Sequence, residues 1–230
     1  MRDISILLPS LRPEAVKTTI EEFELTSMDI DYEIIVVSPF EVKGTRVVWV
    51  KEEEPQGSVL ATSVAYNIAT GRYVIYFSDD VSPTQNCLLE MYRFMLQHES
   101  PFIGAFMMMS NRNEIGPFAA YQKLYACYGC LSKETASLLG GMFDPRFLYS
   151  WADIDLSLRC WEKGGRVEIC PTAIVHPRQI NDDIYKNHRK QYWDRDVNQF
   201  FELWHEKLGK DLPRVDGVVN RRFIKRNYEN

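Results

Sequence analysis

The sequence contains no apolar run approaching the roughly 20 residues that a membrane-spanning helix requires. Near its start, Asp3 precedes a short apolar run, and Pro9 and Pro13 follow it. This pattern favours a first β-strand over a signal peptide. We therefore expect a cytoplasmic protein without a transmembrane segment.

Positively charged residues are fewer than negatively charged ones. The formal net charge is -5, from 27 Lys and Arg against 32 Asp and Glu, which argues against nucleic acid as a partner. One basic cluster, NRRFIKRN, stands at residues 220 to 227. We interpret it as a solvated tail, in preference to a peripheral membrane contact with anionic lipid headgroups or a contact with a polyanionic acceptor.

Cysteine is scarce, and the five cysteines are an odd number scattered through segments with helix or strand character. This distribution favours reduced thiols over disulfides. Cys127 and Cys130 form one C-x-x-C, but no second C-x-x-C or H-x-H pair lies nearby. A zinc or redox role is therefore the weaker interpretation.

Strand-like and helix-like segments alternate along the first hundred residues, which is typical of a doubly wound α/β fold. We predict strands at residues 4 to 8, 33 to 37, 46 to 50, 73 to 77, 102 to 109 and 166 to 175. One predicted helix starts at residue 13. Further helices are predicted at residues 58 to 71, about 85 to 98, 132 to 139, 150 to 165 and about 186 to 208. Residues 110 to 120 are predicted to form a loop. The expected architecture is a Rossmann-like mixed central sheet flanked by helices.

The segment YVIYFSDDVSP, residues 73 to 83, organises the rest of the chain. Its first five residues have no polar break, which predicts a strand buried on both faces and ending at Ser78, Asp79 and Asp80. In open parallel sheets, ligands bind beyond the carboxyl ends of the strands, so a cation and a phosphorylated ligand are expected here. The alternative is that the two aspartates open a turn and cap the next helix. These residues alone support both interpretations equally.

Further polar clusters follow other predicted strands or open a helix. They are the loop from Pro9 to Arg12, Ser38, the pair Asp153 and Asp155, and His176. Together with residues 73 to 83, they resemble the family-two glycosyltransferases, which are inverting enzymes with the GT-A fold. ISILLPS resembles the family's opening strand and nucleotide loop. YNIATGRYVIYFSDDVSP is similar to the segment that leads into the D-x-D motif, and GMFDPRFLYSWADIDLSLRCWEKGG resembles the segment around the E-D acceptor motif.

The resemblance covers roughly residues 3 to 178. It implies a GT-A domain at residues 1 to 180, with a nucleotide-sugar half of about 1 to 100 and an acceptor half of about 101 to 180. Residues 181 to 230 would form a helical extension, packed on the same domain, that ends in the basic tail. The implied reaction transfers a hexosyl or deoxyhexosyl group from a UDP-, dTDP- or GDP-linked sugar to a hydroxyl of a glycan or lipid-linked acceptor.

The sequence departs from the family pattern mainly on the nucleotide side. Ser38 stands where an acidic residue usually contacts the nucleoside, and Ser78 takes the first acidic place of D-x-D. Tyr66 stands where Arg is common, which leaves Asn67 as the match. Ala152 replaces the Glu of the E-D pair, while Asp153 keeps the Asp.

The resemblance implies that the nucleotide side of the site contains Pro9, Ser10, Arg12, Ser38, Asn67, Ser78, Asp79 and Asp80. Asp80 is expected to hold Mn²⁺ or Mg²⁺ with the diphosphate oxygens, and Asp79 to face the nucleoside. His176 resembles a family position that completes the metal site, although a histidine packed beside Pro177 is an equal alternative. Arg189 or Lys190 could contact the diphosphate, or remain solvated.

On the acceptor side, the resemblance implies that Asp153 is the general base, because the attacking hydroxyl must lose its proton. From the residues alone, Ser150 and Asp153 form an S-x-x-D capping box, so Asp153 could simply cap its helix. Asp155 is better explained by a pair with Arg159 one turn later. Tyr149 and Trp151 could stack on an acceptor sugar ring or pack in the core.

Two other functions compete with glycosyl transfer. A degenerate family member would bind a sugar nucleotide or a partner enzyme without catalysis, as the changes at Ser38, Ser78 and Ala152 would allow. A sugar nucleotidylyltransferase also needs a metal held by carboxylates on an α/β sheet. That enzyme needs a glycine-rich basic loop after the first strand, and PSLRPE is not such a loop.

Overall fold

A computed structural model describes residues 2–109, 116, 118–121, 123–178 and 180–208 of the 230-residue chain. The basic cluster at residues 220 to 227 lies outside the described residues, as does part of the loop predicted at residues 110 to 120.

The chain forms ten strands and six helices within the described ranges. The strands are β1 (Ile4–Pro9), β2 (Tyr32–Ser38), β3 (Val47–Lys51), β4 (Tyr73–Tyr76), β5 (Val81–Pro83), β6 (Phe102–Met108), β7 (Phe118–Ala120), β8 (Lys123–Tyr125), β9 (Gly129–Ser132) and β10 (Arg166–Pro177). The helices are α1 (Pro13–Thr26), α2 (Ser58–Ile68), α3 (Cys87–Met95), α4 (Lys133–Leu138), α5 (Ala152–Glu162) and α6 (Asp183–Leu208).

Eight of these strands form one sheet in the order β3-β2-β1-β4-β9-β6-β10-β5. β1 pairs in parallel with both β2 and β4, whereas β9 runs antiparallel between β4 and β6. The predicted mixed α/β sheet flanked by helices is confirmed. Because β1 and β4 are parallel neighbours, the loops that follow them meet at the same edge of the sheet.

Helices cover both faces of the sheet, which explains the continuous apolar runs of its central strands. In β1, Ile6 and Leu8 join the core under α1, where they meet Phe23. Leu7, between them, joins the core on the opposite face with Ala61 of α2. The alternation of side chains along one strand therefore supplies both cores.

Several predicted boundaries are wrong for local reasons. The helix predicted at residues 58 to 71 starts at Ser58, with Gly57 at its N-cap, but ends at Ile68. Part of the predicted loop, Phe118–Ala120, forms an antiparallel pair with β8. The strand expected at residues 166 to 175 continues to Pro177 because its end pairs with the short strand β5.

α6 packs against α5 through an aromatic cluster. Phe200 and Trp204 are buried in it beside Leu158. Trp204 Nε1 donates to Asp155 Oδ1 at 3.0 Å, and Arg159 Nε donates to Asp155 Oδ2 at 2.8 Å. The predicted Asp155 and Arg159 pair is thus confirmed, and α6 contributes to the same buried network.

Across the ranges that the structure covers, none of the helices combines the length and apolarity needed to cross a membrane.

Candidate active site

A cleft of about 550 Å³ opens at the carboxyl edge of β1 and β4. Its walls are the loop after β1, the first turns of α2, the tip of β4, the approach to α5, and one side of α6. A cavity of this volume matches the usual size of small-molecule sites, and its position is the one that α/β sheets use for ligands.

Asp79, at the tip of β4, is only 2% exposed. Its carboxylate accepts hydrogen bonds from Ser10 Oγ at 2.6 Å and from Arg12 Nη1 at 3.0 Å. Burial raises the pKa of Asp79, and the contacts with Ser10 and Arg12 oppose that rise. The carboxylate expected to face the nucleoside therefore anchors the loop after β1 to the tip of β4.

Arg12 also reaches the segment that precedes α6. Its Nε and Nη2 donate to the two carboxylate oxygens of Asp182, at 2.6 and 3.1 Å. The Arg12 contact lowers the pKa of Asp182 to about 2. Arg12 thus ties together the first loop, the β4 tip and the start of α6.

Asp80 presents its carboxylate differently from Asp79. Its Oδ1 accepts from Ser78 Oγ and lies 3.4 Å from the donating hydroxyl of Tyr128. Burial, together with the charge of Asp80, raises the pKa of Tyr128 well above its usual value. Asp80 Oδ2 makes no hydrogen bond with any side chain that the structure describes, so one carboxylate oxygen remains available to a ligand.

The residues around Asp80 fit a metal ion only in part. The described residues include no group of three or more His, Cys, Asp or Glu side chains arranged to hold one. His176 lies in β10 opposite Ser82, with Nδ1 2.9 Å from the Met109 carbonyl oxygen, and it is not on the cleft wall. Mg²⁺ and similar ions bind nucleotide phosphates with only one or two protein carboxylates. Asp80 therefore suits an ion that arrives with a diphosphate better than a preformed metal centre.

Asp153 lies in the first turn of α5 and lines the same cleft. The nearby backbone N–H groups of Asp153 and Ile154 and the thiol of Cys127 act to lower the pKa of its carboxyl. Burial has the larger, opposite effect and raises the pKa to about 6. The carboxyl is therefore able to take up a proton near neutral pH.

The capping box expected from Ser150 and Asp153 is absent from the structure at these residues. Trp151, and not Ser150, occupies the N-cap of α5, in the left-handed region with φ 69°. Ser150 Oγ and Trp151 Nε1 are buried without a hydrogen-bond partner among the described residues. The chain therefore enters α5 through a strained turn, a feature that often marks functional sites.

Tyr149 and Trp151 contact the cleft to different extents. Tyr149 packs edge-on against His188 of α6, with ring centroids 5.5 Å apart, and burial raises its pKa to about 12. Trp151 is 8% exposed and packs on Phe200 and Trp193. Most of the Trp151 ring therefore belongs to the core, and Tyr149 is the more accessible aromatic wall.

The structure does not bring Ser38 and Asn67 to the cleft wall. The Ser38 hydroxyl donates to the Phe40 carbonyl at 2.6 Å and accepts from Trp49 Nε1 at 3.1 Å, so it is fully engaged. Asn67 is exposed in the last turn of α2, whereas Thr62 from the same helix lines the cleft. The remaining predicted residues of the nucleotide loop and the β4 tip do line it: Pro9, Ser10, Arg12, Ser78, Asp79 and Asp80.

Sequence reasoning missed several cleft residues. Glu52 lies beside Ser38, because its backbone N–H donates to the Ser38 carbonyl at 2.9 Å, and burial raises the pKa of its carboxyl. The sequence feature that could have identified Glu52 is the acidic loop after β3. Tyr185 and His188 line the cleft from α6. Burial, reinforced by the charge of Arg12, lowers the pKa of His188. No local motif marked these two residues.

The sequence matches no protein-family model and no curated protein. The fold is similar to that of GalNAc-T7, solved with UDP, GalNAc and Mn²⁺, with a TM-score of 0.62 and 13% identity over 87% of this chain and 50% of that chain. It is also similar to residues 1–349 of S. aureus TarS, with a TM-score of 0.57 and 16% identity over 89% of this chain and 73% of that chain. The TarS complex with UDP-GlcNAc gives a TM-score of 0.59 and 16% identity over 79% and 60% of the two chains.

These likenesses confirm the predicted GT-A-type glycosyltransferase fold. The chain spans about half the length of the GalNAc-T7 chain. The assignment to family two stays a prediction.

Proposed function

We propose that this protein is an inverting glycosyltransferase that moves a sugar from a nucleoside diphosphate sugar to a hydroxyl of a glycan or lipid-linked acceptor. The observation that carries the proposal is a single cleft with a carboxylate at each of two walls. Asp80 stands at the β4 tip, and Asp153, with a pKa raised to about 6, stands at the start of α5. The structural neighbours solved with UDP or UDP-GlcNAc make UDP-sugars the first donors to test.

On the donor side, we assign Asp80 as the protein ligand of Mg²⁺ or Mn²⁺ bound with the diphosphate. Such an ion would offset the negative charge that grows on the leaving diphosphate. Glu52 lines the cleft next to Ser38, whose hydroxyl is already engaged. We therefore assign to Glu52 the nucleoside-facing carboxylate that the family pattern places at the tip of the second strand.

On the acceptor side, we assign Asp153 as the general base. Its carboxylate takes the proton of the acceptor hydroxyl while that oxygen bonds to the anomeric carbon of the sugar. The bond between that carbon and the diphosphate breaks on the opposite face, which inverts the configuration. A base with a pKa near 6 is largely ionised at pH 7 and still binds a proton well enough to be effective.

A binding protein without catalysis is the second candidate. Its supporting observation is the engagement of Asp79 by Ser10 and Arg12, which leaves Asp80 Oδ2 as the free carboxylate oxygen at the β4 tip among the described residues. This arrangement would bind a metal ion weakly without the nucleotide.

A donor panel tests the proposal. Purified protein is incubated with UDP-, GDP- and dTDP-sugars, with Mn²⁺, with Mg²⁺ or with EDTA, while thermal shift reports binding and nucleotide release reports turnover. We expect at least one donor to bind and to be hydrolysed or transferred with metal. Asp80→Asn should remove the stimulation by metal. The exposed Asp29→Asn is the matched control and should retain it. Binding without turnover for every donor would favour the second candidate, and the absence of any binding would refute both.

A further inference from the structure

Asp196 of α6 is completely buried, and the hydrogen bonds of its carboxylate among the described residues all go to one stretch of backbone. Its Oδ2 accepts from the backbone N–H of Tyr149 at 2.8 Å and of Ser150 at 2.9 Å, and Oδ1 accepts from Leu148 N at 3.2 Å. A buried carboxylate is costly unless charge-assisted hydrogen bonds compensate it. Three amide donors supply that compensation, so the position of residues 148 to 150 depends on Asp196.

The carbonyl groups of the same stretch are bound from the opposite side, by the start of α2. Val59 N donates to the Leu148 carbonyl at 3.2 Å, and Ser58 Oγ donates to the Tyr149 carbonyl at 3.3 Å. Gly57 permits this approach, since a Cβ there would lie 2.2 Å from the Leu148 oxygen. Residues 148 to 150 are therefore clamped between α2 and α6.

This clamped stretch carries two of the groups on the acceptor side of the cleft. It holds Tyr149 on the cleft wall and leads through the left-handed Trp151 into the turn that contains Asp153. A non-glycine residue at positive φ persists only when its surroundings fix it. We propose that Asp196 is a positioning residue for glycosyl transfer, which sets the placement of Tyr149 and Asp153. This inference rests on the proposed function.

The geometry predicts that loss of Asp196 affects the acceptor and the donor differently. Asp196 makes no hydrogen bond to the loop after β1 or to the β4 tip, where the donor diphosphate is proposed to bind. Loss of its charge should therefore spare donor binding and disturb the acceptor side. If Asp196 had only a structural role, its loss would lower the melting temperature without affecting the acceptor side more than donor binding.

Asp196→Asn tests the inference, because it keeps the shape of the side chain and removes its charge. Asp194→Asn, on the exposed side of the same helix, is the matched control. We expect amide exchange at residues 148 to 150 to accelerate about 10-fold or more in Asp196→Asn. The KM for the donor should stay within about 2-fold and kcat should fall about 100-fold, as a displacement of about 1 Å can cause. If Asp196→Asn does not fold, Asp196→Ser, which keeps one acceptor, is measured in the same way.

Two results would overturn the proposal. One is unchanged amide exchange at residues 148 to 150 in Asp196→Asn. The other is a kcat equal to that of Asp194→Asn below the melting temperature of both variants. If the wild-type protein turns over no donor, the proposed function fails instead. Amide exchange and the carboxyl NMR titration of Asp153 then still decide whether Asp196 positions this segment, and an unchanged Asp153 titration counts against it.

Discussion

Replacing Asp153 with Asn should raise the stability of the fold and strongly slow glycosyl transfer. Burial moves the pKa of this carboxyl from 3.8 to about 6. At 1.36 kcal/mol for each pKa unit, the ionised carboxylate destabilises the folded state by about 3 kcal/mol. Asn carries no charge at any pH, so the variant escapes that penalty.

The raised pKa of Asp153 determines the pH range over which its ionisation destabilises the folded state. The pKa of the folded state is raised, so the penalty is fully present above about pH 6 and disappears below about pH 3, where both states bind the proton. We therefore expect the free energy of unfolding of Asp153→Asn to exceed that of the wild type by about 2 to 3 kcal/mol at pH 8 and by close to zero at pH 3. For a chain of this size, that gain raises the melting temperature by about 4 to 12 °C at pH 8.

Urea unfolding at several pH values measures this difference, with Asp29→Asn as the exposed control. The transfer rate of the same variant should fall about 10²- to 10⁴-fold, the usual contribution of a general base. In the wild type, the rate should rise about tenfold per pH unit up to about pH 6 and level off above it.

A stability difference that is independent of pH would refute the raised pKa of Asp153. Equal turnover by the wild type and Asp153→Asn would refute its role as the base, whatever the stability data show.

Two further substitutions test the supports of the site. Gly57→Ala should destabilise the fold by at least about 2 kcal/mol in urea unfolding, because φ is 106° and the new Cβ would meet a backbone carbonyl. Gly140→Ala, at φ 81° with open space around it, should lose only about 1 to 2 kcal/mol, and equal losses would contradict the steric argument. Trp204→Phe should cost about 2 to 3 kcal/mol, since it removes a donor from the buried carboxylate of Asp155. Trp161→Phe removes a neutral hydrogen bond and should cost less; the reverse order would count against the Asp155 network.

The parts of the fold that sequence could predict are those with a local signal. Unbroken apolar runs located β1, β2 and β4 because helices cover both faces of the sheet. The aspartates after β4 reached the cleft because a strand tip fixes where its next residues go. A helix was predicted to begin at residue 132, and Ser132 caps α4, because its Oγ accepts from Thr135 N at 2.9 Å.

The parts that could not be predicted depend on contacts distant in sequence. Arg12 binds Asp182 from 170 positions away, and Asp196 binds an amide 48 positions earlier. No periodicity or motif encodes such pairs. The S-x-x-D pattern at Ser150 failed for a related reason: the clamp on residues 148 to 150 delivers Trp151 to the N-cap and leaves the serine hydroxyl outside the helix start.

Because β9 lies between β4 and β6, a strand from the second half of the chain completes the sheet beside β4. Asp79 and Asp80 follow β4, and among the described residues the edge of β4 opposite β1 pairs with residues 129 to 132. A fragment ending near residue 100 would leave that edge bare, with a row of unpaired backbone groups on an apolar strand. Unpaired strand edges form hydrogen bonds with strands of other chains, so such a fragment would self-associate. Residues 1 to about 100 can therefore be prepared as a soluble fragment only if a substitute strand shields Tyr73–Tyr76.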